Sequence, residues 1–266
     1  MRVRPSSAAW IAIAIAAAAF ASACANEKFV GGDEPPDAAS DASGDAEVAD
    51  EGAAEPIQLV AKNGSAFKAG GANVQLAVSP RAGDLLVAGV FWNMPATQFT
   101  VSDSADNIWN SADAQEESAG GANVQIWYAL DVKAGALTVT AAPIASVDAG
   151  TGGAEMFVLE YSGVRAKDVA AEAFGAMETA FDVPVTTTSP GDVVVGLFSG
   201  YNSASNNAPG AGNGFVAEQG DPVHTVIFED NAPGYAAPLG KLDVTATSPA
   251  PSFTTWAGMA VTFSPK

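Results

Sequence analysis

The sequence predicts an all-β protein: a two-sheet antiparallel β-sandwich of jelly-roll type, built of two related halves, behind a disordered tether. Three observations predict it. Apolar residues alternate with threonines in Leu137-Thr138-Val139-Thr140-Ala141, and the pattern returns in Leu242-Asp243-Val244-Thr245-Ala246. That is the period-two signature of a strand with one buried and one wet face. Turn clusters such as Ser79-Pro80-Arg81-Ala82-Gly83 and Ser189-Pro190-Gly191 separate such runs, as many short strands of a sandwich or barrel require. Finally, the chain echoes itself. Gly83-Asp84-Leu85-Leu86-Val87 returns as Gly191-Asp192-Val193-Val194-Val195, 137–141 returns as 242–246, and 156–162 loosely as 258–264, with the order kept. Convergent strand patterning is the competing explanation of the echo.

The first element, residues 1–23, reads as an export signal. Arg2 and Arg4 precede an apolar run over 8–20. As a helix this run would span about 20 Å, short of a bilayer core of roughly 30 Å, and Ala21-Ser22-Ala23 supplies a small-residue cleavage site. Cys24 follows directly and is the single cysteine of the chain, so no internal disulfide can form. This order of basic start, apolar run, three small residues and cysteine resembles the lipobox of bacterial lipoproteins, although Ala21 stands where that family usually has Leu. The resemblance implies that Cys24 is lipidated and anchors the mature chain to a membrane. With Ala rather than Asp at position 25, it also implies the outer membrane.

The second element, 24–56, joins that cysteine to a segment with ten Asp or Glu and one Lys between residues 25 and 56. Phe29, Val30 and Val48 are its only aromatic or β-branched residues. Such a segment buries too little apolar surface to offset its ordering entropy, so a disordered tether is expected.

The third element, 57–266, is read as the β-sandwich domain, with 20 acidic and 8 basic residues. That balance repels polyanions and excludes a nucleic-acid partner. Beyond the two alternating runs, strands are expected over 57–61, 73–78, 84–92, 124–131, 155–162, 179–187, 192–199, 223–229 and 253–263. One helix is expected over the alanine-rich stretch 167–177. The domain also resembles jelly-roll domains of secreted and surface proteins of bacteria. The phrases that carry the resemblance are Gly83-Asp84-Leu85-Leu86-Val87-Ala88, Asp103-Ser104-Ala105-Asp106-Asn107, Trp127-Tyr128-Ala129, Leu137-Thr138-Val139-Thr140 and Leu159-Glu160-Tyr161-Ser162-Gly163. The resemblance implies the fold and assigns no catalytic residues.

The chemistry on offer is sparse. His224 is the one histidine, too few for a catalytic triad with the lipidated cysteine or for a His/Cys zinc site, and it is read as a strand-face residue. Neither a GxSxG elbow nor an HExxH helix is present. Glycoside hydrolysis needs only two carboxylates, but Glu155 and Glu160, five apart on one strand, face opposite ways. Asp103, Asp106 and Asn107 offer calcium-type oxygen ligands, although an Asx-turn explains the same residues; no other cofactor is expected. The best binding candidate is a loop pair. Trp92 and Asn93 end one strand of the echo, and Tyr201 and Asn202 end its counterpart, giving the apolar faces and amides that sugar recognition uses. The expected function is therefore a surface-anchored, non-catalytic module for glycan, matrix or a surface protein. A polysaccharide hydrolase and a structural envelope lipoprotein remain the alternatives.

Overall fold

A computed structural model describes residues 56–93, 98–113, 116–117, 123–144, 152–176, 178–201, 209–221, 223–224, 226–231, 237–247 and 255–266. The signal segment, Cys24 and the acidic tether lie outside the described residues, as does Asn202. The chain divides into the units Met1–Ala49 and Asp50–Lys266, and every described residue belongs to the second.

The first half of that unit contains β1 (Gln58–Gly64), β2 (Lys68–Ala69), β3 (Val74–Val78), β4 (Leu85–Trp92), β5 (Phe99–Asp103), β6 (Asn110–Ser111), β7 (Glu116–Glu117), β8 (Asn123–Ala129), β9 (Leu137–Pro143) and β10 (Gly153–Ser162). The second contains β11 (Val164–Gly175), β12 (Ala180–Thr187), β13 (Val193–Tyr201), β14 (Gly210–Ala211), β15 (Phe215–Asp221), β16 (Val226–Asn231), β17 (Gly240–Thr247) and β18 (Thr255–Pro265). Among the described residues no helix is long and apolar enough to cross a membrane.

The all-β, antiparallel expectation holds, and the jelly roll occurs twice. In the first half the sheet β1-β10-β4-β8-β6 faces the sheet β3-β9-β5; in the second, β11-β18-β13-β16-β15 faces β12-β17-β14. Matching strands by chain order makes the two lists identical in winding, which is the topology of an eight-stranded jelly roll. The halves do not share one sandwich between them: each closes its own, and their two larger sheets then pack face to face.

Four layers result, with three cores between them. The inner strands therefore have no wet side, which explains why their sequences run apolar without alternation. Along β4, Leu85, Val87 and Phe91 enter the central core between the halves, while Leu86, Ala88, Val90 and Trp92 enter the core of the first jelly roll. On β13, Val193, Val195 and Leu197 face the centre, while Val194 and Phe198 enter the core of the second jelly roll. The outer strand β12 keeps the alternation, exposed and buried in strict turn. Polar ties also cross the centre: the Tyr161 hydroxyl donates to Asp230 Oδ2 at 2.7 Å, and Lys62 meets Glu218 at 2.7 Å.

The helix expected over 167–177 is instead most of β11, Met177 itself lying outside the described residues. Alanine's helix preference loses here to pairing with β18, from Val164–Pro265 to Gly175–Trp256. Small side chains suit a strand wedged between two cores: Ala170 packs towards the central core, Val169, Ala171 and Ala173 towards the second jelly roll.

The repeated Gly-Asp pairs open β4 and β13 alike. Gly83 and Gly191 share φ = 82°, a left-handed turn conformation that glycine adopts without strain. Gly163, with φ = 77°, is the single residue between β10 and β11 and hence between the jelly rolls. Its carbonyl accepts the Lys266 amide at 2.8 Å, and Pro56 O lies 3.0 Å from where its Cβ would stand. Pro56, the junction, Lys266 and both Gly-Asp turns therefore gather at one end of the strands, the proximal end. At the distal end lie Trp92, Gly153, Tyr201 and Thr255.

Candidate functional site

The most concentrated chemistry lies at the distal end, where the two jelly rolls meet. Glu155 sits near the start of β10, paired across the ladder with Phe91, and is only 4% exposed. Asp221 closes β15, and His224 stands in the turn before β16 rather than on a strand face. The turn is built by Asp221, whose Oδ1 accepts the Val223 amide at 2.7 Å, an Asx-type bond that bends the chain ahead of Val226. The other oxygen, Oδ2, lies 2.7 Å from His224 Nδ1. Phe67, from the first jelly roll, stacks on the imidazole at 3.7 Å between ring centres and 13° between planes. One ligand atom each of Glu155, Asp221 and His224 lies within 4.8 Å of the others.

The electrostatics split the two acids. Burial, reinforced by the charge of Asp221, pushes the Glu155 carboxyl up to about 8. Burial acts on Asp221 as well, but hydrogen bonds from His224, the Val223 amide and Glu155 hold it below the usual range. At neutral pH the cluster is therefore a neutral carboxylic acid donating to a carboxylate that also faces an imidazole. An acid and a base set apart in this way are what a hydrolase uses. Here, however, the two carboxyls are hydrogen-bonded to each other, whereas retaining glycosidases hold theirs about 5–5.5 Å apart around the sugar.

The residues singled out from sequence fall elsewhere. Trp92 is not a stacking platform: it is 0% exposed and packs on Phe99 at 5.2 Å inside the first jelly roll. Its place at the end of the Leu86, Ala88, Val90 series puts it on the inner face. Asn93 is exposed but engaged, its side chain accepting the Gly153 amide at 2.7 Å and its own amide donating to Gly153 O at 3.1 Å. Tyr201 ends β13 opposite Thr255; its side chain, like all of Asn202, is outside the described residues.

The Asp103 loop is internally saturated. Asp103 Oδ1 accepts the amides of Ala105 and Asn107, and Oδ2 accepts Asn107 Nδ2 at 3.0 Å and Trp109 Nε1 at 2.7 Å. Burial opposes the charge, yet those bonds hold Asp103 below its ordinary value. Asn107 Oδ1 accepts the Lys133 amide, and the Lys133 ammonium sits on the carbonyls of Ala105 and Asp106, where a bound cation would otherwise go. Asp106 takes the left-handed φ of 56° that the turn needs. The Asp103 and Asn107 oxygens proposed as calcium ligands are thus committed to a turn. Replacing Asp103 by Ala is expected to cost about 1–3 kcal/mol of stability, read by urea denaturation, because several donors lose a charged acceptor; added calcium should not restore it.

A second recess, of about 520 Å³, lies between the edge strands β1 and β3, lined by Asn63, Ser79, Ser104, Thr138 and Glu160 among others. Its one acid already accepts the Arg81 amide at 2.9 Å, and no aromatic side chain lines it. Glu155 and Glu160 do face opposite ways, the first towards the central core and the second towards this recess.

Comparison with protein-family models, with curated proteins and with solved structures finds no match for this chain. The cluster must therefore be read from its own chemistry. Sequence reasoning missed it because Glu155 and Asp221 are far apart in the chain and form no local motif. The available signal was one acid inside the apolar run Ala154-Glu155-Met156-Phe157-Val158-Leu159, where a charge is costly unless it serves a site.

Proposed function

We propose that the protein is a non-catalytic binding module, exported, held at the outer membrane by lipid on Cys24, and presenting its distal end to a glycan, matrix component or surface protein. The observation that carries this reading is the polarity of the domain. The chain enters at Pro56 at the proximal end, beside Gly163 and Lys266, while the Glu155–Asp221–His224 cluster lies across the length of β10, about 23 Å away. A tether that joins the domain at the first end leaves the second clear of the attachment. There Val223 is 59% exposed beside the polar cluster, and Phe174, on the opposite edge strand β11, is 61% exposed, so a ligand meets apolar surface at both edges of the sheet.

The test is retention of the Cys24→Ser chain by a panel of polysaccharides and cell-wall fractions, with product release followed in the same samples. The double variant Phe174→Ser, Val223→Ser should lose retention at least tenfold without forming products. Release of products by the unmodified surface would replace this reading by the hydrolase alternative. Absence of retention on every fraction would leave a structural envelope role as the better account.

A further inference from the structure

We propose that Glu155, Asp221 and His224 bind one divalent transition-metal ion of the Zn²⁺ class, which braces the first jelly roll against the second. The donor set is one imidazole and two carboxylates, converging to within 4.8 Å from two separately closed sandwiches. Three protein ligands with water in the remaining position is a standard zinc arrangement. Calcium and magnesium favour all-oxygen sets, so the imidazole selects against them.

Three further features show a site held in readiness. Glu155 is 4% exposed, and its Oε2 accepts no hydrogen bond, so the ionised form of this carboxyl is left unsatisfied. A buried carboxylate oxygen left unsatisfied in this way is costly, and a cation at the cluster would satisfy it. The Phe67 ring lies flat on the imidazole and fixes its plane. The Val223 amide fixes the Asp221 carboxylate through the oxygen that does not face His224. Orientation of ligands by such outer partners is characteristic of metal sites.

The experiment uses the full chain with Cys24→Ser, which also removes the one thiol. After chelator treatment it is titrated with Zn²⁺, Ca²⁺ and Mg²⁺ by calorimetry and by thermal unfolding. The expected result is one high-affinity Zn²⁺ per chain and a Tm rise of about 5–10 °C at a hundredfold excess over Kd, with no comparable rise from Ca²⁺ or Mg²⁺. His224→Gln and Glu155→Gln should each lower Zn²⁺ affinity at least thirtyfold while retaining the acidic segment around residues 25–56. Unchanged affinity in both variants would place the metal on that segment and overturn the proposal, as would the absence of any Tm rise. If the variants fail to fold, Co²⁺ added to the parent chain decides: visible absorption bands of nitrogen-ligated, low-coordinate Co²⁺ support the site, and their absence overturns it. Zn²⁺ binding can succeed where the polysaccharide panel fails, and the reverse, so the two readings fall separately.

Discussion

Replacing Phe228 by Ala should destabilise the domain by about 3–5 kcal/mol, the loss expected when a large aromatic leaves a cavity in a packed core. Phe228 lies on β16 in the central core and is 0% exposed. Its ring rests against Gly89 of the opposing sheet, so closely that a Cβ on Gly89 would stand 3.2 Å from it and 3.3 Å from Leu197. Phe157 completes the pocket at 6.3 Å between ring centres. The contact is between the jelly rolls, so the loss falls on their association rather than on either alone. Urea denaturation would read it as a lower midpoint. Gly89→Ala should cost about 1–3 kcal/mol by overpacking the same spot. Combined with Phe228→Leu it should cost less than the sum of the two single changes, because the smaller side chain makes room for the methyl group. Strict additivity would show that the two halves do not interlock at this point.

The second large effect is a loss of stability as pH rises. Burial, reinforced by the charge of Asp230 and opposed by the Gly212 amide, pushes Glu229 up from 4.5 to about 9. Burial and the neighbouring Asp168 push Asp192 up from 3.8 to about 7. A carboxyl whose folded pKa is raised holds its proton more tightly in the folded chain. Its contribution is complete below the unfolded value and disappears as pH climbs to the folded one. For Glu229 that window runs from about pH 4.5 to about 9, and the loss across it is on the order of 5 kcal/mol. The domain should therefore unfold at a lower temperature at pH 8 than at pH 5. Glu229→Gln, which keeps the shape of the neutral acid, should flatten the slope and raise Tm at pH 8. A Tm that is level or rising between pH 5 and 8 in the parent chain would refute the burial argument.

How much of this was legible in the sequence depends on whether the governing contacts are local. The continuous run Leu85-Leu86-Val87-Ala88 and its partner Val193-Val194-Val195 announce strands because a four-layered stack buries both of their faces. The outer strands β9 and β17 announce themselves by alternation. By contrast, β15, Phe215-Val216-Ala217-Glu218-Gln219-Gly220-Asp221, has neither pattern. It is a strand because β16 pairs with it, and a bulge between Ala217 and Gln219 breaks the register that periodicity would need. The duplication was audible in the echo, but two complete jelly rolls in place of one shared sandwich follow from pairings such as β1 with β10, which no local window contains. The Glu155–Asp221–His224 cluster is hidden for the same reason, since it exists only once two sandwiches dock.

The one-residue junction at Gly163 and the arrival of the chain at Pro56 have a mechanical consequence. Strand β1 starts at the proximal end and runs towards the distal one, paired with β10 from Gln58–Ser162 to Gly64–Phe157. A load applied between Pro56 and the distal end therefore pulls along β1, straining its ladder bonds in parallel instead of peeling them one after another. The same load cannot swing one jelly roll away from the other about Gly163, because the central core and the Tyr161–Asp230 and Lys62–Glu218 ties join the two. Tension applied to the chain at Pro56 thus meets shear resistance, the stiffest response a β-sheet offers.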